Sequence, residues 1–435
     1  SDTANSMSLL TGMSWTKFRE RQMKNALRKL WFHFSILICI VFASMQLHAD
    51  DAHYKNMLIG ERAATMGGSY VAISDDSTGC YYNPAGIAYA VGDSLSGSGN
   101  MLHKMKTVYS EAIGTEDWVR ESEALVPNYF GVLKNYKNYS FCFSYVVPEA
   151  FIEHQDLVFD NPLSTVKKYY QSLHSEDITY LLGPSAAMKF GDSLSFGLTL
   201  YYQYRSFMRQ YHYFLESADD NGYEVYYESR KLREDGLMPK IGLQWSPWSL
   251  LTVGMTVNQS VLLNSSFQGD VSFHNTDNST GTPSLLTLMN RTNSEEKRKF
   301  PLHLAWGLSY FPTPSLLYTI DVDYYQTSEI GRANILNYSG GMEYYLNPTN
   351  AIRFGLFTNY TNLPIPDSST TAPYEYLDIH GASFGYTSYS SSSSLTLGTI
   401  YTSGSGKAWL YSGSTETRKL TRESLTLVFS ASSNL

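Results

Sequence analysis

Charge is scarce in this chain of 435 residues: Asp, Glu, Lys and Arg make up 17% of it, and the net charge is −8. After residue 50 no basic run occurs, which argues against nucleic acid as a partner. No apolar run there is long enough for a membrane-spanning helix. Cysteine is rarer still, with three in all. Setting aside Cys39 in the leader leaves Cys80 and Cys142, with neither a C-x-x-C nor a metal-ligand spacing, so neither metal nor cofactor is expected. Whether these two thiols pair is open, although an exported compartment permits it. His303 and His380 are the strand histidines, but no nucleophile motif accompanies them, and no enzyme is expected. What the chain has in quantity is tyrosine, 35 residues within an aromatic share of 14%. Amphipathic rings of this kind collect where a protein surface meets a membrane interface.

The leading positive signal is period-two alternation. From Ser193 to Arg205, Leu194, Phe196, Leu198, Leu200, Tyr202 and Tyr204 take one face. Ser193, Ser195, Gly197, Thr199, Tyr201, Gln203 and Arg205 take the other. The pattern recurs at Leu302 to Phe311 and at Leu316 to Tyr325, where Asp321 and Asp323 share the inner face. Such segments fit strands with lipid on one side and water on the other; with no apolar helix, only a barrel spans.

The N-terminus carries Lys17, Arg19, Arg21, Lys24, Arg28 and Lys29, an apolar run from Trp31 to Ala43, and Ala49 before Asp50. This order reads as a secretory signal peptide and leader over 1–49. The expected divisions are 50–92, which does not alternate, and a transmembrane barrel over 93–435.

Fourteen alternating segments lie between Asp93 and Ser430. After the even-numbered ones the connections are tight and rich in turn residues, as at Gly191-Asp192 and Asn347-Pro348-Thr349-Asn350. After the odd-numbered ones they are mostly long: 106–122, 149–175, 262–296, 361–377 and 402–419. Short turns on one side and long loops on the other predict an all-β fold, a 14-stranded antiparallel transmembrane β-barrel with both ends periplasmic. Lys189, Arg205, Lys240, Gln244, Asp321, Asp323, Glu343 and Arg353 are assigned to a polar, porin-like lumen. The turn Asp219-Asp220-Asn221-Gly222 reads as a plain turn rather than a calcium loop.

Between the leader and the first strand, small residues cluster at Ala63, Ala64, Gly67, Gly68 and Ala72, and Asn83-Pro84-Ala85-Gly86 is a turn signal. Gly60, Arg62, Ala63, Ala64, Gly67, Gly68, Tyr70, Val71, Ala72, Asp75, Asp76, Asn83, Pro84, Ala85 and Gly86 match the G-x-R-A-A-x-x-G-G-A-Y-V-A-x-x-D-D…N-P-A-G stretch of one family. In these positions the chain resembles the FadL-type long-chain fatty acid transporters of the outer membrane, and weaker echoes run through several strands. The resemblance implies a fourteen-stranded barrel with an N-terminal hatch inside its lumen. Arg62, Asp75, Asp76, Asn83, Pro84, Ala85 and Gly86 would be its gating or ligand residues; with so few charges in the segment, Asp75 and Asp76 are the expected partners of Arg62. The stretch from Asp156 to Glu176 holds charges and His174 in place of an apolar substrate-capturing loop pair.

The expected function is passive uptake of a hydrophobic small molecule, such as a long-chain fatty acid, across the outer membrane of a diderm bacterium after signal-peptide export. Surrounding outer-membrane lipid and lipopolysaccharide would be the wall's partners. The third strand, Tyr139 to Pro148, is the candidate wall for a lateral exit, since Pro148 donates nothing to a ladder. The alternative is a barrel of the same build acting as a docking subunit of a secretion or surface assembly, with protein partners at the long outer loops.

Overall fold

The computed structural model describes residues 52–218, 222–277, 284–329, 331–367, 370, 374–410 and 416–435. The leader and Asp219-Asp220-Asn221 lie outside the described residues. Sixteen strands form one antiparallel sheet. They are β1 (Ser94–Ile113), β2 (Glu116–Tyr136), β3 (Tyr139–Leu163), β4 (Val166–Phe190), β5 (Leu194–Ser217), β6 (Gly222–Trp248), β7 (Leu251–Asn258) and β8 (Val261–Asp277). After them come β9 (Ser284–Ser294), β10 (Leu302–Thr313), β11 (Leu316–Gln326), β12 (Ile335–Asn347), β13 (Asn350–Asn359), β14 (Tyr374–Tyr389), β15 (Ser393–Trp409) and β16 (Arg418–Asn434).

These make fourteen staves. β7 and β8 both lie on β6, β7 along Lys240–Trp248 and β8 along Gly222–Leu237, parted at Gln259 and Ser260. β9 pairs with β8 and β10 with β7, so they too are halves of one stave. The ring closes where β1 meets β16, from Ser94↔Asn434 to Tyr109↔Leu420. A closed ring leaves no unpaired sheet edge for lipid to solvate, which is why strands span a membrane only as barrels.

Alternation places the side chains as the chemistry requires. On β5, Phe196, Leu198, Leu200 and Tyr202 are exposed on the outer face, while Ser195, Thr199, Gln203 and Arg205 are buried inside. Among the described residues no helix is long and apolar enough to cross a membrane.

The long connections differ from expectation. Residues 106–122 and 149–175 are not loops: β3 and β4 are 25 residues each and stay paired up to Leu163↔Val166. A spanning strand needs only about 9–11 residues, so these hairpins stand well beyond the bilayer. Past the lipid both faces meet water and the apolar alternation fades, as at Glu153-His154-Gln155-Asp156, yet the main-chain ladder continues regardless of side chain.

Residues 52–93 hold a short α-helix, Glu61–Thr65, and two 3-10 helices, Ser77–Cys80 and Gly86–Tyr89. This segment rests against the inward face of the sheet at positions where the strands carry glycine. A Cβ at Gly341 would lie 2.9 Å from Met66, and one at Gly355 would collide with the backbone of Gly67. Gly385 abuts Thr65, Gly254 abuts Val71, and Gly197 and Gly242 abut Pro84. Absence of a side chain at these sites lets backbone approach backbone. Cys80 and Cys142 form a disulfide, which ties the segment to β3.

Candidate functional site: a cavity and a break in the wall

The N-terminal segment is fixed by charge from below one sector of the wall. The Arg62 guanidinium lies 2.6 Å from Asp75 Oδ1 and 2.6 Å from Glu343 Oε2, and its Nε donates to Glu343 Oε1 at 3.0 Å. Glu343 also accepts from Arg353 Nε at 2.7 Å, and Arg353 donates to Tyr389 Oη at 2.6 Å. Asp75 is thus one partner of Arg62, as the scarcity of charge in this segment suggested, but Asp76 is not. Asp76 accepts from the Tyr70 hydroxyl at 2.7 Å and from the Thr78 amide at 2.8 Å, capping the first 3-10 helix. Burial, with the Asp76 carboxylate beside it, pushes the Tyr70 phenol well above its usual pKa, so it remains a donor. The partner that sequence reasoning missed is Glu343, 281 residues away, which no local spacing signals.

Main-chain groups of the segment are held as well. Asp321 on β11 accepts from the amides of Tyr70 at 2.6 Å and Val71 at 2.9 Å. Asn83 donates to Val71 O at 2.7 Å and to Leu243 O at 3.1 Å, and accepts from the Ala85 amide at 3.1 Å, so it closes its own turn and reaches β6. Pro84 and Ala85 fill the seats left by Gly242 and Gly197. Gly86 lies so near Ser74 O that any Cβ would clash.

On the long-hairpin side of this segment is a cavity of about 1030 Å³. Met57, Leu58, Leu181, Phe207, Leu232 and Met238 supply apolar wall; Lys55, Glu149, Arg230, Glu234, Lys240, Arg298, His303 and Asp323 supply polar wall. Several of these charges are paired with one another. Lys55 bridges to Asp323; the ring nitrogens of His303 lie 2.9 Å from Asp323 Oδ1 and 2.9 Å from Asn258 Oδ1. Lys240 Nζ donates to Tyr81 O and sits 5.0 Å from the Tyr81 ring centroid. Arg205 makes a two-pronged contact to Asp177, 2.8 Å on each prong, and reaches Glu234 at 3.5 Å. Lys189 is set apart from this group, its Nζ 4.8 Å from the Tyr89 ring centroid near the short-turn end. His380 is exposed on the outer face against Tyr360, and thus apart from His303.

Beside this cavity the main-chain pairing lapses between β2 and β3, as it also does between the β7–β8 and β9–β10 staves over 259–266 and 295–301. The β2–β3 ladder runs from Tyr136↔Tyr139 only to Tyr129↔Val146. On its other side β3 bulges between Val146 and Glu149 as it passes β4, around Pro148. Above the break, side chains rejoin the strands: Arg120 Nε donates to Glu153 Oε1 at 2.7 Å, and Gln155 Nε2 to Glu121 O at 3.2 Å. Between these limits the gap is packed with apolar side chains, where Met57, Ala124, Val126, Val147, Ala150, Leu181 and Met238 form one buried cluster. Met57, Leu181 and Met238 line the cavity as well, so cavity and gap share one wall.

Neither a protein-family model nor a curated protein matches this sequence. Solved structures do. A Pseudomonas aeruginosa FadL homologue is similar at 12% identity, over 88% of this chain and 100% of its own, with a TM-score of 0.59. The P. putida toluene transporter TodX is similar at 14% identity, over 88% of this chain and 99% of its own, with a TM-score of 0.59. The Ralstonia pickettii toluene transporter TbuX is similar at 12% identity over the same shares, with a TM-score of 0.58. At such identities the likeness establishes a shared fold, the one that the sequence motif implied.

Proposed function

We propose that the protein is an outer-membrane channel for passive uptake of hydrophobic small molecules, with residues 50–92 as its hatch. The observation that carries this reading is the apolar wall common to the cavity and the gap between β2 and β3. A hydrophobic solute entering from the long-hairpin side exchanges water for Leu181, Met238 and Phe207 in the cavity. It then passes between Val126 and Val147 toward lipid without crossing an unbroken ladder. The hatch below stops ions from following. Folds shared with toluene transporters support a hydrophobic cargo in general. Charged side chains interleaved with the apolar lining, as Arg230, Glu234 and Lys240 are with Leu232 and Met238 on β6, favour a cargo with one polar end, as a fatty acid has.

The test is mass spectrometry of small molecules extracted from the protein purified in a mild detergent. A bound amphipathic hydrophobe, absent from a Met238→Trp preparation, is the expected result. A preparation free of such a molecule but holding a stoichiometric protein partner would overturn uptake in favour of the docking role.

A further inference from the structure

Just above the gap, on the outer face, β3 and β4 bring together His154, His174 and Glu176. His154 and His174 are direct cross-strand partners, and Glu176 follows His174 on the same face. Their rings stand 3.9 Å apart between centroids at an interplanar angle of 57°, and His174 Nε2 lies 3.5 Å from Glu176 Oε1. One donor atom from each side chain falls within 4.8 Å of the other two. Among the described residues that 3.5 Å contact is the one polar contact these three side chains make.

We propose that these three residues bind a divalent transition-metal cation of the Zn2+ and Cu2+ class. Two imidazoles and one carboxylate suit such an ion, whereas Mg2+ and Ca2+ take oxygen ligands. In a tetrahedral zinc site, bonds of about 2.0–2.1 Å set neighbouring donor atoms roughly 3.3 Å apart. The His174–Glu176 contact is already close to that separation. The backbone supports the site: the ladder is continuous from Glu149↔Thr179 to Asp160↔Lys168. On the inner face directly behind, Arg205 is locked to Asp177. His174 is half-exposed and His154 exposed, so the ion is reached from solvent, water completes the coordination, and small side-chain rotations draw the donors together. The bound ion would join β3 to β4 at the upper rim of the gap, next to the Arg120–Glu153 bridge.

The experiment uses the full-length mature protein in detergent, with a tag that contains no histidine, stripped with chelator and titrated with Zn2+ by calorimetry. The parent is expected to bind a single Zn2+ saturably. His174→Ala and His154→Ala are each expected to weaken it about tenfold or more, while His380→Ala leaves it unchanged. Heat-modifiable migration verifies that each variant is a folded barrel. With Cu2+ in place of Zn2+, the electron paramagnetic resonance spectrum of the parent should show coupling to two nitrogens, reduced to one in either variant. No saturable binding by the parent, a loss below tenfold in both histidine variants, or a copper spectrum that the variants leave unaltered would overturn the assignment.

Discussion

Two sectors of this barrel meet the N-terminal segment in different ways. Along β12 to β15 the ladders are continuous through the membrane level. There the segment is held by directional contacts: Arg62 on Glu343, Ser383 Oγ on the Gly67 amide, and glycines that admit backbone against backbone. At β2 and β3 the ladder stops and the space is filled by Met57, Val126, Val147 and Ala150. Ion pairs and hydrogen bonds in a buried site cost several kcal/mol to break singly, because a partner is left unsatisfied. Apolar contacts are non-directional, and a cargo of like chemistry replaces them at little cost. On the proposed function, a floor built from the first kind would stay shut, and a gap packed with the second would open for hydrophobes.

The comparison can be broken most severely by removing the floor. Deletion of residues 50–92 is expected to raise ion conductance in planar bilayers about tenfold or more, since a barrel of this size has a watery lumen. Unchanged conductance would mean that this segment closes nothing. The next largest effect is expected from Glu343→Ala, which strands Arg62 and Arg353 in a buried site and costs about 3–5 kcal/mol in denaturant unfolding of the hatch. Cys142→Ser tests the covalent tie between the floor and the paired part of β3; losing a disulfide is expected to cost about 2–4 kcal/mol and to loosen the hatch without unfolding the barrel. Protease accessibility of the segment reads both changes. The smallest effect is expected from Gly355→Val, where the added side chain displaces Gly67 at about 1–3 kcal/mol and yields brief conductance bursts in an otherwise closed channel.

The staves were legible because lipid and lumen impose opposite chemistry on alternate residues, as β5 illustrates with Leu198 against Thr199. Lys240, Asp321, Asp323, Glu343 and Arg353 all face inward for the same reason. The hairpins above the membrane were misread as loops because water on both faces erases that contrast. Pairing of Arg62 with Glu343 was beyond reach, since it depends on how the ring closes over distant sequence. The glycine seats did leave a signal. Gly341, Gly355 and Gly385 each stand at an inward position of a strand, where glycine is otherwise a poor choice, and an inward run of them marks where another backbone lies. The cavity's apolar side was hidden because Met57, Leu181 and Met238 come from three separate elements.

The most direct test of the central claim is uptake of a radiolabelled long-chain fatty acid by cells that lack their own hydrophobe channel and produce either the parent or Met238→Trp. Met238 lines the cavity and belongs to the cluster filling the gap, so the larger ring obstructs both. Leu356→Trp, on the lipid-facing side of β13, controls for the substitution itself. Uptake about tenfold lower in Met238→Trp, with Leu356→Trp like the parent, is the result this account expects. Equal uptake by all three folded proteins, or uptake by none of them, would contradict it.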